Sequence, residues 1–231
     1  MNKENNISYY TYTLDITILN ILSLILFVIL SSLIFIIEYH DNYIITNSSS
    51  TLIILMLLWL VIHEILHGIG FAIFKEVTKN NITYGLSLEK GVLYCMCKQP
   101  ISKKVIMTSL LFPFTIIGIF TLIIGTLLNS YYLVLLSIIN IVSSIGDLTM
   151  TFYFLKCPKD ITYLDLDDCT SFTVISSTNL ENIKVLGIKL IKTGLYNSKR
   201  MISKDRRRLI ISRKSYLILG IILILFIITI I

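Results

Sequence analysis

The sequence predicts an all-α polytopic membrane protein. It would have four to five transmembrane helices and a small membrane-associated β-hairpin between the second and third. Three observations predict this. Of the 231 residues, 55% are hydrophobic and only 15% charged, whereas a soluble domain carries about a quarter charged residues. The apolar residues fall into blocks of roughly 20, the length that crosses a bilayer. The Lys and Arg residues lie in the segments between those blocks, as membrane orientation requires. That distribution also accounts for the net charge of +6, so the positive charge gives no reason to expect a nucleic-acid partner.

The elements follow in order. Met1–Tyr12 is a polar, partly aromatic lead. No small-residue cleavage site follows, so the first apolar block is expected to stay as a span and not leave as a signal peptide. Span one is residues 14–37, with its only charge, Asp15, at the edge. Glu38–Ser50 carries no Lys or Arg. Span two is residues 51–74. Lys75–Lys104 holds Lys75, Lys79, Lys90, Lys98, Lys103 and Lys104. Inside it Ile82, Tyr84, Leu86 and Leu88 alternate with smaller or polar residues, Glu89-Lys90-Gly91 suits a turn, and Val92, Tyr94 and Met96 alternate again. This is a hairpin pattern. It reads either as a surface connection or as an edge strand that could pair with an extended peptide.

Span three is residues 105–128, interrupted by Pro113 and free of charge. Asn129–Tyr131 is a short turn. Span four is residues 132–155, with Asp147 its single charge. The chain so far, 1–155, reads as the transmembrane core. Residues 156–214 form a polar, Lys/Arg-rich cytosolic segment. Residues 215–231 form a C-terminal helix that spans the membrane or lies at its interface, since Tyr216–Ile231 gives only about 24 Å of helix. The run Lys199–Lys214, with Arg206-Arg207-Arg208, reads as an anchor to anionic headgroups. The basic segments place the N-terminus in the cytosol of a cell whose plasma membrane holds the protein. The four cysteines, Cys95, Cys97, Cys157 and Cys169, fall in cytosolic segments and are expected as free thiols. Cys95-Met-Cys97 lacks the C-x-x-C spacing of a metal or redox motif.

Chemistry enters in span two, which contains His63-Glu64-Ile-Leu-His67-Gly68. Four residues apart on a helix, both imidazoles project from one face and can ligate one metal. Glu64 stands beside them as the candidate catalytic base for a zinc-bound water, whose pKa zinc lowers towards about 7. Gly68 would let a close neighbour pack against the helix. Of the three histidines and six glutamates in the chain, two histidines and one glutamate are spent on this motif. The bland alternative, a His hydrogen-bonded to a neighbouring helix, does not explain a glutamate inside a span.

A catalytic zinc site needs a third protein ligand and an open position. His40 lies in the outer loop. Asp147 lies at the same depth as His67, roughly 10–12 Å below the cytosolic face when counted at 1.5 Å per residue. Glu64 and Asp147 are the only charges deep in any span, and such charges face the bundle to pair or bind metal. His63, His67 and Asp147 are therefore the expected zinc ligands. Asn140 lies about two turns before Asp147 and shares its face. It is a candidate contact to a substrate carbonyl or its oxyanion, or else glue between helices.

These residues resemble the site-2 protease class of intramembrane zinc peptidases, which pairs an H-E-x-x-H span with an aspartate on a later span. The later span here reads Asn140-Ile-Val-Ser-Ser-Ile-Gly146-Asp147-Leu148. It lacks that class's proline, and its Gly precedes the Asp. The pattern is closer to a bacterial zincin family of the DUF3267 type, with H-E-x-x-H-G, a Pro-Phe in the next span and a Gly-Asp near the end of the fourth. Leu111-Phe112-Pro113-Phe114 matches the second feature. The resemblance covers roughly residues 51–160. It implies zinc held by His63, His67 and Asp147 and Glu64 as base. The expected function is an intramembrane zinc metallopeptidase that cleaves a membrane-associated polypeptide near the cytosolic leaflet.

Two other readings use the same residues. A metal- or proton-handling transport protein would need polar residues continuing through the outer half of the spans, where the sequence shows few. A catalytically idle scaffold would tolerate loss of Glu64 and not of a ligand.

Overall fold

The computed structural model describes residues 7–38, 49–87, 92–166 and 170–196. His40, Cys169, the turn at Glu89-Lys90-Gly91, the Lys199–Lys214 run and the last apolar block lie outside the described residues.

The chain is a mixed α/β protein, 56% helical and 23% strand over the described residues. This corrects the all-α expectation. Strand β1 is Ser8–Leu14, and after two strands between the spans come β4 (Ile101–Ser102), β5 (Thr162–Asp165), β6 (Ser171–Ser176) and β7 (Ile188–Leu195). They form one antiparallel sheet in the order β4-β5-β6-β1-β7. Its first strand comes from the polar lead and most of the others from the segment read as basic and cytosolic. Ser-Tyr-Tyr-Thr-Tyr-Thr-Leu is rich in the aromatic and β-branched residues that suit a pleated surface, and Tyr10 and Tyr12 are its buried face. The alternation is legible in those seven residues. The partners are not, because Tyr12 pairs with Phe172, and a strand without its partner reads as a polar stretch.

The helices carry the membrane character. α1 (Ile16–Glu38) starts directly after β1. Asp15 accepts from the Ile18 N–H at 3.3 Å, capping the first turn, and pairs with Lys189 of β7 at 2.5 Å. Leu24 and Val28 are more than half exposed, as suits a helix facing lipid. α2 is Ser49–Ala72. The hairpin expected between spans two and three forms, as β2 (Ile82–Ser87) against β3 (Val92–Cys97). α3 (Lys103–Pro113) passes through a π-helical segment, Phe114–Phe120, into α4 (Thr121–Leu127). Among the described residues three helical stretches, Ile16–Leu33, Ile54–Ala72 and Lys103–Leu127, are long and apolar enough to cross a membrane.

The fourth expected span is two helices, α5 (Tyr131–Ser143) and α6 (Ile145–Lys156), bent by 49°. The break has a local cause. The hydroxyls of Ser143 and Ser144 both donate to the Asn140 carbonyl, at 3.0 and 2.9 Å, and compete with the helix's own ladder there. As a result Asp147 sits in the first turn of α6, where the helix dipole favours an anion.

The core lies where the sheet meets one end of the bundle. Tyr12, Tyr153, Phe154, Tyr163 and Phe172 form an aromatic cluster with ring centroids 4.9 to 5.9 Å apart. α2 and α3 approach closely: a Cβ on Gly70 would lie 2.7 Å from the Ser109 Cα. At Gly68 a Cβ would overlap the Tyr84 hydroxyl, so the close neighbour expected at Gly68 is the hairpin itself.

Candidate metal centre

α2 brings His63 and His67 to one face, and the α5–α6 break turns Asp147 towards them. His63 Nε2 is 3.2 Å and His67 Nε2 3.4 Å from Asp147 Oδ2, and the two Nε2 atoms are 3.1 Å apart. Among the described residues this trio forms a group of metal-ligating side chains.

Hydrogen bonding fixes the histidine tautomers. The Asn140 side-chain N–H donates to the Pro113 carbonyl at 3.2 Å, which leaves its Oδ1 to face His63 Nδ1 at 2.8 Å. An amide oxygen only accepts, so His63 Nδ1 carries the proton. His67 Nδ1 meets the Ser109 carbonyl at 2.9 Å and must donate likewise. Both Nε2 atoms therefore present bare lone pairs, aimed at each other and at a carboxylate oxygen.

Three electron-pair donors converging without a proton call for a cation. Tetrahedral zinc with bonds of 2.0–2.1 Å holds its ligand atoms about 3.3 Å apart. The observed triangle of 3.1, 3.2 and 3.4 Å matches that spacing. The Asn140 and Ser109 partners are of the kind that would orient the two imidazoles towards a metal.

The Ser109 carbonyl owes its availability to Pro113. A proline has no N–H to offer the carbonyl four residues earlier, and the Phe114 N–H goes to Leu111 O. Ser109 also returns its hydroxyl to the His67 carbonyl at 2.9 Å. Sequence reading missed Ser109. The signal was present: a proline inside an apolar span marks a free carbonyl one turn back.

Glu64 lines the same cavity as His63, His67 and Asp147, a space of about 870 Å³ bounded by α1, α2, α6, β3 and β5. Leu93, Tyr94, Cys95 and Met96 line that cavity too, so β3 borders the site. Asn140, a candidate for either a substrate contact or glue between helices, is 2% exposed with both ends of its amide bonded within the protein.

Cys95, Cys97 and Cys157 are free thiols. Burial pushes the Cys95 thiol up and that of Cys97 to about 11, so neither offers a thiolate. One further acid lines the cavity. Asp165, at the end of β5, accepts from the Cys97 N–H at 2.9 Å and from the Tyr163 hydroxyl. Its burial pushes the carboxyl up to about 6.

No curated protein and no solved structure matches the chain. A family model does match, over residues 56–162, from within α2 to the first residue of β5. His63, Glu64, His67, Ser109, Asn140 and Asp147 all lie inside that stretch, which is similar to the DUF3267 family, described as "Putative zincin peptidase".

Proposed function

We propose that the chain is an intramembrane zinc metalloendopeptidase of the site-2-protease-like kind. It would hydrolyse a peptide bond of a membrane-associated polypeptide near the cytosolic leaflet. The observation that carries this reading is the trio His63, His67 and Asp147, with lone pairs converging at zinc spacing and Glu64 in the same cavity. The family match supports a metallopeptidase, and the apolar helices support placing the centre in a bilayer.

Each residue then has a part. His63, His67 and Asp147 hold the metal, and Asn140 and Ser109 fix the two imidazoles. Bound zinc supplies a Lewis acid that makes hydroxide available at neutral pH. Glu64 accepts the proton of the attacking water and passes it to the leaving amine nitrogen. β3 forms one wall of the cavity beside Glu64, and the apolar part of that cavity can take the lipid-facing part of the peptide.

The orientation is cytosolic for the N-terminus. The start of α1, the end of α2, the start of α3 and the end of α6 all meet the strands at one end of the bundle. Among the described residues Lys75, Lys103, Lys104 and Lys156 stand at or beside those helix ends, which supports that end as the cytosolic one.

Metal content and cleavage of a membrane-spanning peptide by the detergent-purified protein test the proposal together. Glu64→Gln is expected to retain zinc and lose cleavage. Equal cleavage by the variant, or a wild type that takes up no zinc, sinks the reading.

A further inference from the structure

The geometry points to Asp165 as a subsite for a positively charged side chain of the polypeptide bound in the cavity, an inference that rests on the peptidase reading. Four features argue for it.

Asp165 opens into the cavity that holds Glu64 and the ligand trio, yet it does not belong to that trio. Its carboxylate is held in place by two neutral donors, the Cys97 N–H and the Tyr163 hydroxyl. A carboxylate can accept about four hydrogen bonds, so capacity remains on the cavity side. Among the described residues the ion pairs are His63–Asp147, His67–Asp147 and Lys189–Asp15, and no lysine or arginine pairs with Asp165.

An enclosed anion is costly unless a cation meets it, and among the described residues no lysine or arginine does so for Asp165. Holding the Cys97 N–H in place needs only a neutral acceptor, so the clamp on β3 does not explain the charge. The rest of the cavity wall is largely apolar, with Leu57, Leu60, Leu86, Leu93 and Met150. It suits an apolar segment drawn from the membrane. The cytosolic flank of such a segment is enriched in Lys and Arg. Asp165 stands on the sheet, at the end where that flank would arrive.

The test separates this subsite from the peptidase reading. Two fluorescent peptides are compared, an apolar segment with a lysine flank and the same segment with glutamines. Binding is measured by polarisation to full-length Glu64→Gln protein, with and without Asp165→Asn. The lysine peptide is expected to bind Glu64→Gln about tenfold tighter than the glutamine peptide, as one enclosed charge pair implies. Asp165→Asn, which keeps an oxygen for the Cys97 N–H, is expected to bring the two affinities together by weakening the lysine peptide. Equal or undetectable binding of the two peptides to Glu64→Gln, or the same preference in both proteins, overturns the subsite. Cleavage by the wild type is scored separately. Lysine-selective binding without cleavage leaves the subsite standing and removes the peptidase reading, and cleavage without lysine preference does the reverse.

Discussion

Pro113 stands one helical turn beyond Ser109, and the carbonyl it leaves without a helical donor is the one that takes the Nδ1–H of His67 at 2.9 Å. A residue that cannot donate a hydrogen bond thus helps set the tautomer of a histidine of the candidate metal centre on the preceding helix, α2. The arrangement works because Gly70 lets the α3 backbone approach α2. It gives the Pro-Phe in span three a chemical purpose beyond bending the helix.

Pro113→Ala returns an N–H to that position and lets the helix reclaim the Ser109 carbonyl. Zinc affinity is expected to fall roughly 10–100-fold, the usual cost of losing an outer-shell partner. The helix itself should not weaken, since Ala is about 3 kcal/mol better than Pro in a helix interior. Chelator competition and thermal unfolding of the same sample check the two signs. Unchanged zinc affinity refutes the role, and a joint fall of both quantities points to misfolding instead.

Asn140 separates two roles cleanly. Asn140→Leu leaves His63 Nδ1 without its acceptor, so zinc affinity should drop by roughly 10–100-fold. Asn140→Asp keeps an oxygen for His63 while losing the N–H given to the Pro113 carbonyl, and should retain most of the affinity. If Asn140 serves the substrate, as its position in the sequence allowed, both variants bind zinc normally and lose turnover alone.

How far this centre was legible depended on how local its determinants are. His63, Glu64 and His67 lie within five residues and announce themselves by helical spacing. Asp147 needed only the count of residues from two span ends, because a membrane imposes a common depth on separate helices. Ser109 is an ordinary serine, and its carbonyl matters only through Pro113 and the close approach at Gly70. The sheet was illegible for a related reason. β1 and β6 are more than 150 residues apart, and Tyr12 is paired with Phe172. The polar residues of β5 and β7 matched a basic cytosolic segment as well as they matched strands. Asp165 was hidden in the same way, since nothing near it in sequence says that β5 borders the metal cavity.

Removing the metal should loosen the meeting point of α2 and α6. Without a cation the bare Nε2 atoms of His63 and His67 face the Asp147 carboxylate. At free zinc about a thousandfold above the dissociation constant, binding adds about 4 kcal/mol to stability. A chelator is therefore expected to lower the unfolding temperature of the wild type clearly. Asp147→Ala should start lower and show almost no further shift. An unfolding temperature in the wild type that ignores both zinc and chelator would remove the metal from the fold.

The Asp165 carboxyl, pushed up to about 6 by burial, gives a pH dependence with a definite sign. Its charge is present above that pH and lost as pH falls through it. The lysine-over-glutamine preference should be full above pH 7, halved near pH 6 and gone about a unit lower. Taking the ratio of the two peptides cancels the titration of the metal centre, which both share. Stability runs the other way. The folded carboxyl holds its proton more tightly than the ordinary value of 3.8, so its contribution is full below that value and lost as pH rises from there to about 6. Two units correspond to on the order of 2–3 kcal/mol. Asp165→Asn removes the enclosed charge and should therefore raise the unfolding temperature at neutral pH while abolishing the lysine preference. A lower unfolding temperature in that variant would mean that the bond to the Cys97 N–H, holding β3 over Glu64, outweighs the cost of the charge.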